Sequence, residues 1–153
     1  MSYWLFKTEP DTFSIDDLKQ RGAKGEIWDG VRNYQARNML RDQVKVGDQV
    51  FIYHSNCEVP GIAGIARVAE DSVVDPMQFN PESKYFDPKS PADAPRWITV
   101  RVRYERHLEK PVSLAAIKAH PALQDMQLVK RGNRLSILPV TDSQWETLLH
   151  LAN

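Results

Sequence analysis

"WITVRVRY", residues 97–104, alternates without a break. Ile98, Val100, Val102 and Tyr104 fall on one side of an extended chain, and Trp97, Thr99, Arg101 and Arg103 on the other. The spacing predicts a strand, and what flanks it decides the fold. Upstream, "DPMQFNPESKYFDPKSPADAP" (75–95) holds five of the ten prolines, so no regular helix or strand fills it. A loop this long in a small domain is a functional lid or a mobile segment, and Met77, Phe79, Tyr85 and Phe86 suit a pocket mouth.

Further out, Tyr3 to Lys7 reads as a first, central strand, Gln49 to Ser55 as a second and Pro60 to Val68 as a third. Ser14 with Asp17 starts a short helix that Gly22 stops, and residues 32–42 repeat the helical pattern. There Ala36, Met39 and Leu40 make an apolar edge, while Tyr34, Arg37, Asn38 and Arg41 share a polar face. Downstream come a helix over 114–119, a last strand over 134–138 ending at Pro139, and a helix capped by Thr141 with Trp145, Leu148 and Leu149 inward. Strands interspersed with short helices predict an α+β domain on a mixed or barrel-like sheet.

The 153 residues fit one domain, 1–153, and twenty Lys plus Arg balance twenty Asp plus Glu. No global positive field is available, so any nucleic-acid contact must be local. A single cysteine, Cys57, excludes a disulfide framework and fits a reducing compartment; no leader or membrane-spanning pattern is visible. The expectation is a cytoplasmic monomer with no membrane contact. Dinucleotide and phosphate-loop motifs are absent, and His54, His107, His120 and His150 stand too far apart for a zinc motif, so no cofactor is expected.

Lys7 and Glu9 flank Thr8 at a strand end and share a side, which suits an acid/base pair or ligand hydrogen bonds; a surface ion pair fits equally. Cys57 near His54 invites a nucleophile reading, but no third orienting residue can be assigned. Arg101, Arg103 and Arg106, with Lys130, Arg131 and Arg134, form two local basic clusters, either a solvated face or a phosphate track. An aromatic and uncharged polar set remains: Trp28, Tyr53, Tyr85 and Trp97 with Asn33, Ser55, Asn56 and Ser136. It describes a pocket that stacks a splayed-out base and reads its edge, or a core with satisfied polar edges.

"YWLFKTEP", "WDGVRNYQARN", "GDQVFIYHSN", "PGIAG", "YFDPKS" and "RLSILPV" resemble, in order and spacing, the motifs of the EVE domain family. The resemblance spans nearly the whole chain. It implies a PUA-like fold, a pseudo-barrel of mixed strands flanked by short helices, related to the YTH domains that cage N6-methyladenine. It also implies a non-catalytic module that recognises a modified base, 5-methylcytosine or an oxidised form, in DNA or RNA. By the same resemblance Lys7, Thr8 and Glu9 touch the base, Trp28 stacks on it with Asp29 beside, Tyr53, Ser55, Asn56, Arg134 and Ser136 border the cavity, and Tyr85 closes it from above. Arg32, Asn33 and Arg37 would then face the ligand or its backbone, and Trp28→Ala would weaken binding by more than about 1 kcal/mol with the fold intact. The alternative is a small amidohydrolase-like enzyme acting on a modified nucleoside, with Lys7, Thr8 and Glu9 as base, nucleophile and acid.

Overall fold

Tyr3–Thr8 forms β1, and its neighbours explain most of the architecture. On one side it pairs in parallel with β3 (Gln49–His54), on the other antiparallel with β6 (Ile137–Val140). The computed structural model describes residues 1–153. The rest of the sheet is antiparallel, through β4 (Gly61–Val74) and β5 (Ile98–Ser113) to the two-residue β2 (Glu26–Ile27), in the order β2-β5-β4-β3-β1-β6. β2 and β6 are the edges, so the mixed sheet stays open.

Successive side chains of β1 and β3 serve opposite layers. Trp4, Phe6, Val50 and Ile52 join a core under α1 (Ile15–Gln20) and α2 (Tyr34–Asp42), which contribute Leu18, Ala36 and Leu40. Leu5 and Phe51 point the other way, toward α3 (Leu114–Ala119) and α4 (Asp142–Leu151), where Ile117, Trp145 and Leu148 meet them. A strand buried on both faces reads as a continuous apolar run, which is how these two appear in the sequence.

The helix starts lie where the capping residues put them. Ser14 and Asp17 form a reciprocal capping box, as do Thr141 and Gln144. α2 begins two residues later than its pattern suggests, because the Asn33 side chain accepts from Ala36 N–H and caps it. β4 and β5 run well past their sequence signal, β5 to Ser113 through Pro111. Register shifts along the β4–β5 pair interrupt the period of two, which hides the extension. The last strand includes Pro139 instead of stopping before it; Pro139 is exposed on an edge strand, where a missing N–H costs no ladder bond.

Residues 75–97 are tied to the rest of the fold by hydrogen bonds. A short 3-10 turn occupies Pro76–Phe79, and the wholly buried Gln78 amide donates to Asp75 O (2.7 Å) and Trp97 O (2.9 Å). Its carbonyl oxygen accepts from Ser90 Oγ and Trp97 N–H.

Candidate functional site

Pairing on both sides of β1 brings three distant stretches together at one end of the sheet. Lys7 stands opposite Tyr53 on β3, Ser55 N–H donates to Thr8 O (2.9 Å), and Lys7 N–H donates to Ser136 O (2.9 Å). The segment after β2 adds a further wall, since Trp28 N–H bonds Val100 O (2.9 Å) on β5. Between them lies a cavity of about 530 Å³, a usual size for a small-molecule site. Lys7, Thr8, Glu9, Trp28, Asp29, Ser55, Tyr85, Arg134 and Ser136 line it, nine residues the sequence analysis singled out.

Trp28 differs from expectation. Only 7% exposed, it packs on Phe6 (centroids 5.5 Å apart) and edge-on to Phe13 (6.1 Å), so it is a core residue showing one border to the cavity. Its carbonyl accepts from Thr99 Oγ1 (2.6 Å). Gly30, with φ +82°, lets Tyr85 close in: a Cβ there would lie 2.7 Å from the Tyr85 ring. Gly30 N–H and Arg32 Nη1 both donate to Asp75 Oδ2 (2.9 and 2.8 Å), while Arg32 Nε and Nη2 hold Tyr85 O (3.0 and 2.8 Å). Arg32 is therefore a strut fixing the proline-rich loop over the cavity, its donors already engaged.

Five expected residues lie outside the cavity. Tyr53 is buried in the opposite layer with Leu5's neighbours, and desolvation pushes its phenol up to about 12. Trp97 is covered by Tyr34, stacked at 4.9 Å, and by the Arg32 guanidinium at 5.0 Å, with its Nε1 donating to Asp87 (2.8 Å). Asn33 is spent on capping α2 and borders a neighbouring groove, and Arg37 donates to the Arg96 carbonyl rather than facing the cavity. Asn56, exposed and in the left-handed region (φ 53°), acts at one remove: its amide donates to Glu9 Oε1 (2.6 Å). Gly30, Phe13 and Lys84 also line the cavity. The Asp-Gly turn dipeptide is the signal for the first; the other two carry none.

Two of the charged groups inside, Lys7 and Asp29, are pushed toward neutrality. Burial lowers the Lys7 pKa. The Asp29 carboxyl is raised, first by burial and then by repulsion from Asp75 and Glu26, against a weaker pull from Arg32. Lys7 and Glu9 form no ion pair, and Thr8 Oγ1 donates to Phe13 O (2.7 Å). The Cys57 thiol meets only the His54 carbonyl oxygen (3.8 Å), while His54 Nε2 accepts from Ile15 N–H (3.1 Å). No group of His, Cys, Asp or Glu is arranged to hold a metal ion, and no helix is long and apolar enough to cross a membrane. The ammonium of Lys7, the carboxyl of Asp29 and the hydroxyls of Ser55 and Ser136 make no side-chain hydrogen bonds within the protein. They form a donor and acceptor set open to a planar polar ligand.

A family profile described as EVE domain matches residues 2–151. Thymocyte nuclear protein 1 of Danio rerio is 41% identical over 169 residues, covering 99% of this chain and 72% of the relative. The Homo sapiens protein of that name is 41% identical over 167 residues, covering 98% and 73%. A crystal structure of a Pseudomonas putida protein superposes with a TM-score of 0.94 at 44% identity, covering 99% of this chain and 100% of that one. Human THYN1 protein, crystallised in complex with 5-methylcytosine containing DNA, superposes with a TM-score of 0.92 at 38% identity, covering 100% and 98%. With its profile matched nearly end to end and its fold shared with these relatives, the chain belongs to the EVE domain family.

Proposed function

We propose that this protein binds DNA carrying a modified cytosine, 5-methylcytosine or an oxidised form, by drawing the base out of the stack into the cavity at the end of β1. The observation that carries this reading is the cavity itself: about 530 Å³, with unpartnered polar groups inside. The human relative crystallised with 5-methylcytosine DNA supports the choice of ligand. A base inside a duplex is reached only after extrusion, and its edge then replaces lost pairing with hydrogen bonds to the protein. Cytosine offers an exocyclic amine and two acceptors. Asp29 suits the amine, and Lys7, Ser55 and Ser136 suit N3 and O2, while Phe13, Val31 and the border of Trp28 supply apolar contact for a C5 substituent.

A buried methyl contributes about 0.8 kcal/mol, so preference for 5-methylcytosine over cytosine is about fourfold from that term alone. One cavity per chain needs no second copy, and the protein works as a monomer in the cytoplasm. The lowered Lys7 pKa also suits the hydrolase reading, but the Thr8 hydroxyl donates to a backbone carbonyl instead of a base, which favours binding without catalysis.

Tryptophan fluorescence, with Trp28 at the cavity, tests the proposal by titration with matched oligonucleotides bearing cytosine, 5-methylcytosine or 5-hydroxymethylcytosine, as DNA and RNA. Selective response to modified DNA, lost in Asp29→Ala, is expected. Equal affinity for all DNAs, tighter RNA binding or turnover of a modified nucleoside overturns it.

A further inference from the structure

Beside the base cavity lies a more open groove of about 470 Å³, walled by the 127–135 segment and the start of α2. Arg134 lines both hollows, so the two are neighbours. The groove's charged residues are Lys130, Arg131 and Arg134, with no carboxylate among its walls. All three are exposed, and none forms an ion pair or a side-chain hydrogen bond within the protein. Elsewhere the arginines are largely spoken for: Arg21, Arg32, Arg41, Arg67 and Arg101 each hold an acid within 3.1 Å. In a chain of zero net charge, an unneutralised cluster of this kind is a local feature.

The loop that presents these cations is ordered by its own turns. Lys130 N–H bonds Gln127 O (3.1 Å), Asn133 N–H bonds Lys130 O (3.2 Å) and Leu135 N–H bonds Asn133 Oδ1 (2.9 Å), with Gly132 at φ +81°. The base cavity, by contrast, sets Glu9, Glu26 and Asp29 beside Lys7, Arg32, Lys84 and Arg134, so its charges largely offset one another. Phosphates on either side of an inserted nucleotide are drawn to the neighbouring hollow, whose cations have no acids beside them to offset their field.

We propose that this groove is a phosphate track, taking the backbone of the nucleotides that flank the base held in the cavity. It rests on the reading of the cavity as a base site and adds to it where the strand runs. Phosphate contacts of this kind position the strand without reading sequence, and each one neutralised leaves its mark on the salt dependence.

The test compares wild type with the Lys130→Gln/Arg131→Gln double variant, both residues lying outside the base cavity. Affinity for modified DNA, for unmodified DNA of the same sequence and for the free modified nucleoside is measured across a salt series, with melting curves run alongside. The expected result is that the slope of log affinity against log salt falls by about two, both DNAs weaken by the same factor, and nucleoside affinity and melting temperature stay unchanged. An unchanged slope overturns the track while leaving the base site standing. If wild type binds the nucleoside yet shows no salt-dependent DNA binding, the track is overturned as well. Loss of preference for modified DNA in wild type sinks the base reading instead, and is distinguished by a slope that still responds to the double variant.

Discussion

Lys7 keeps a charge where burial disfavours it. Its folded pKa lies below the ordinary 10.5, so the unfolded chain holds the proton more tightly and stability rises as pH climbs toward that value. At pH 7 the cost of the desolvated ammonium is fully present. Lys7→Met is expected to leave stability unchanged or raise it, by no more than about 1 kcal/mol once solvent screening is allowed for, and to weaken DNA binding severalfold. Melting curves and titrations at pH 7 check the pair of effects; a destabilised variant would mean the charge is compensated after all. Trp28 behaves in the opposite way. Its ring packs on Phe6 and Phe13, so Trp28→Ala is expected to cost about 3–5 kcal/mol in urea denaturation, a larger effect on the fold than the sequence reading expects. The family resemblance implies that Trp28 lies beside the cavity, where it does lie. Its burial is one of two alternatives the residues leave open, because "WDG" sits in an irregular segment with no period to assign a face.

Among the elements, the 75–97 loop gains its function from how firmly it is anchored. Arg32 and Gln78 fix its path, and Gly30 gives Tyr85 room to lie over the cavity. Gly30→Ala adds strain at positive φ and places a methyl against the Tyr85 ring, so the ring must swing away. The expected outcome is a loss of about 1–3 kcal/mol in base binding, the contribution of one stacking contact, with secondary structure by circular dichroism retained. Retained affinity would remove Tyr85 from the site. Capping boxes and turn dipeptides made α1, α4 and the loop boundaries readable. The bulged continuation of β4 and β5 and the two-residue β2 were not readable, since each breaks or is too short for a hydrophobic period. The loop's hydrogen-bond anchor was equally hidden, for no local pattern marks Gln78 as buried.

For the whole molecule, acid tests the joint between the sheet and α1. His54, at the end of β3, accepts from Ile15 N–H and so must stay neutral at Nε2. Its pKa is lowered, chiefly by burial, with His107 adding to the effect and Asp16 opposing it. The folded value lies below the unfolded 6.5, so its contribution is whole above that pH and is lost as pH falls from 6.5 toward the folded value. Melting temperature is expected to fall by a few degrees between pH 7 and pH 5, and His54→Gln to flatten that slope; equal slopes would clear His54 of the role. Motif spacing, through the family resemblance, carried the overall fold. Strand order is another matter, because periodicity cannot say that residues 3–8 lie between residues 49–54 and 137–140. That placement has a consequence during synthesis. Leu5 waits for Leu138, which at about 5–20 residues per second emerges on the order of 10 s later. Until then one flank of the first strand is an open edge available for mispairing, and the cavity lacks its Arg134 and Ser136 wall. A nascent chain therefore has no complete cavity until residues 134–140 have emerged and docked beside the first strand.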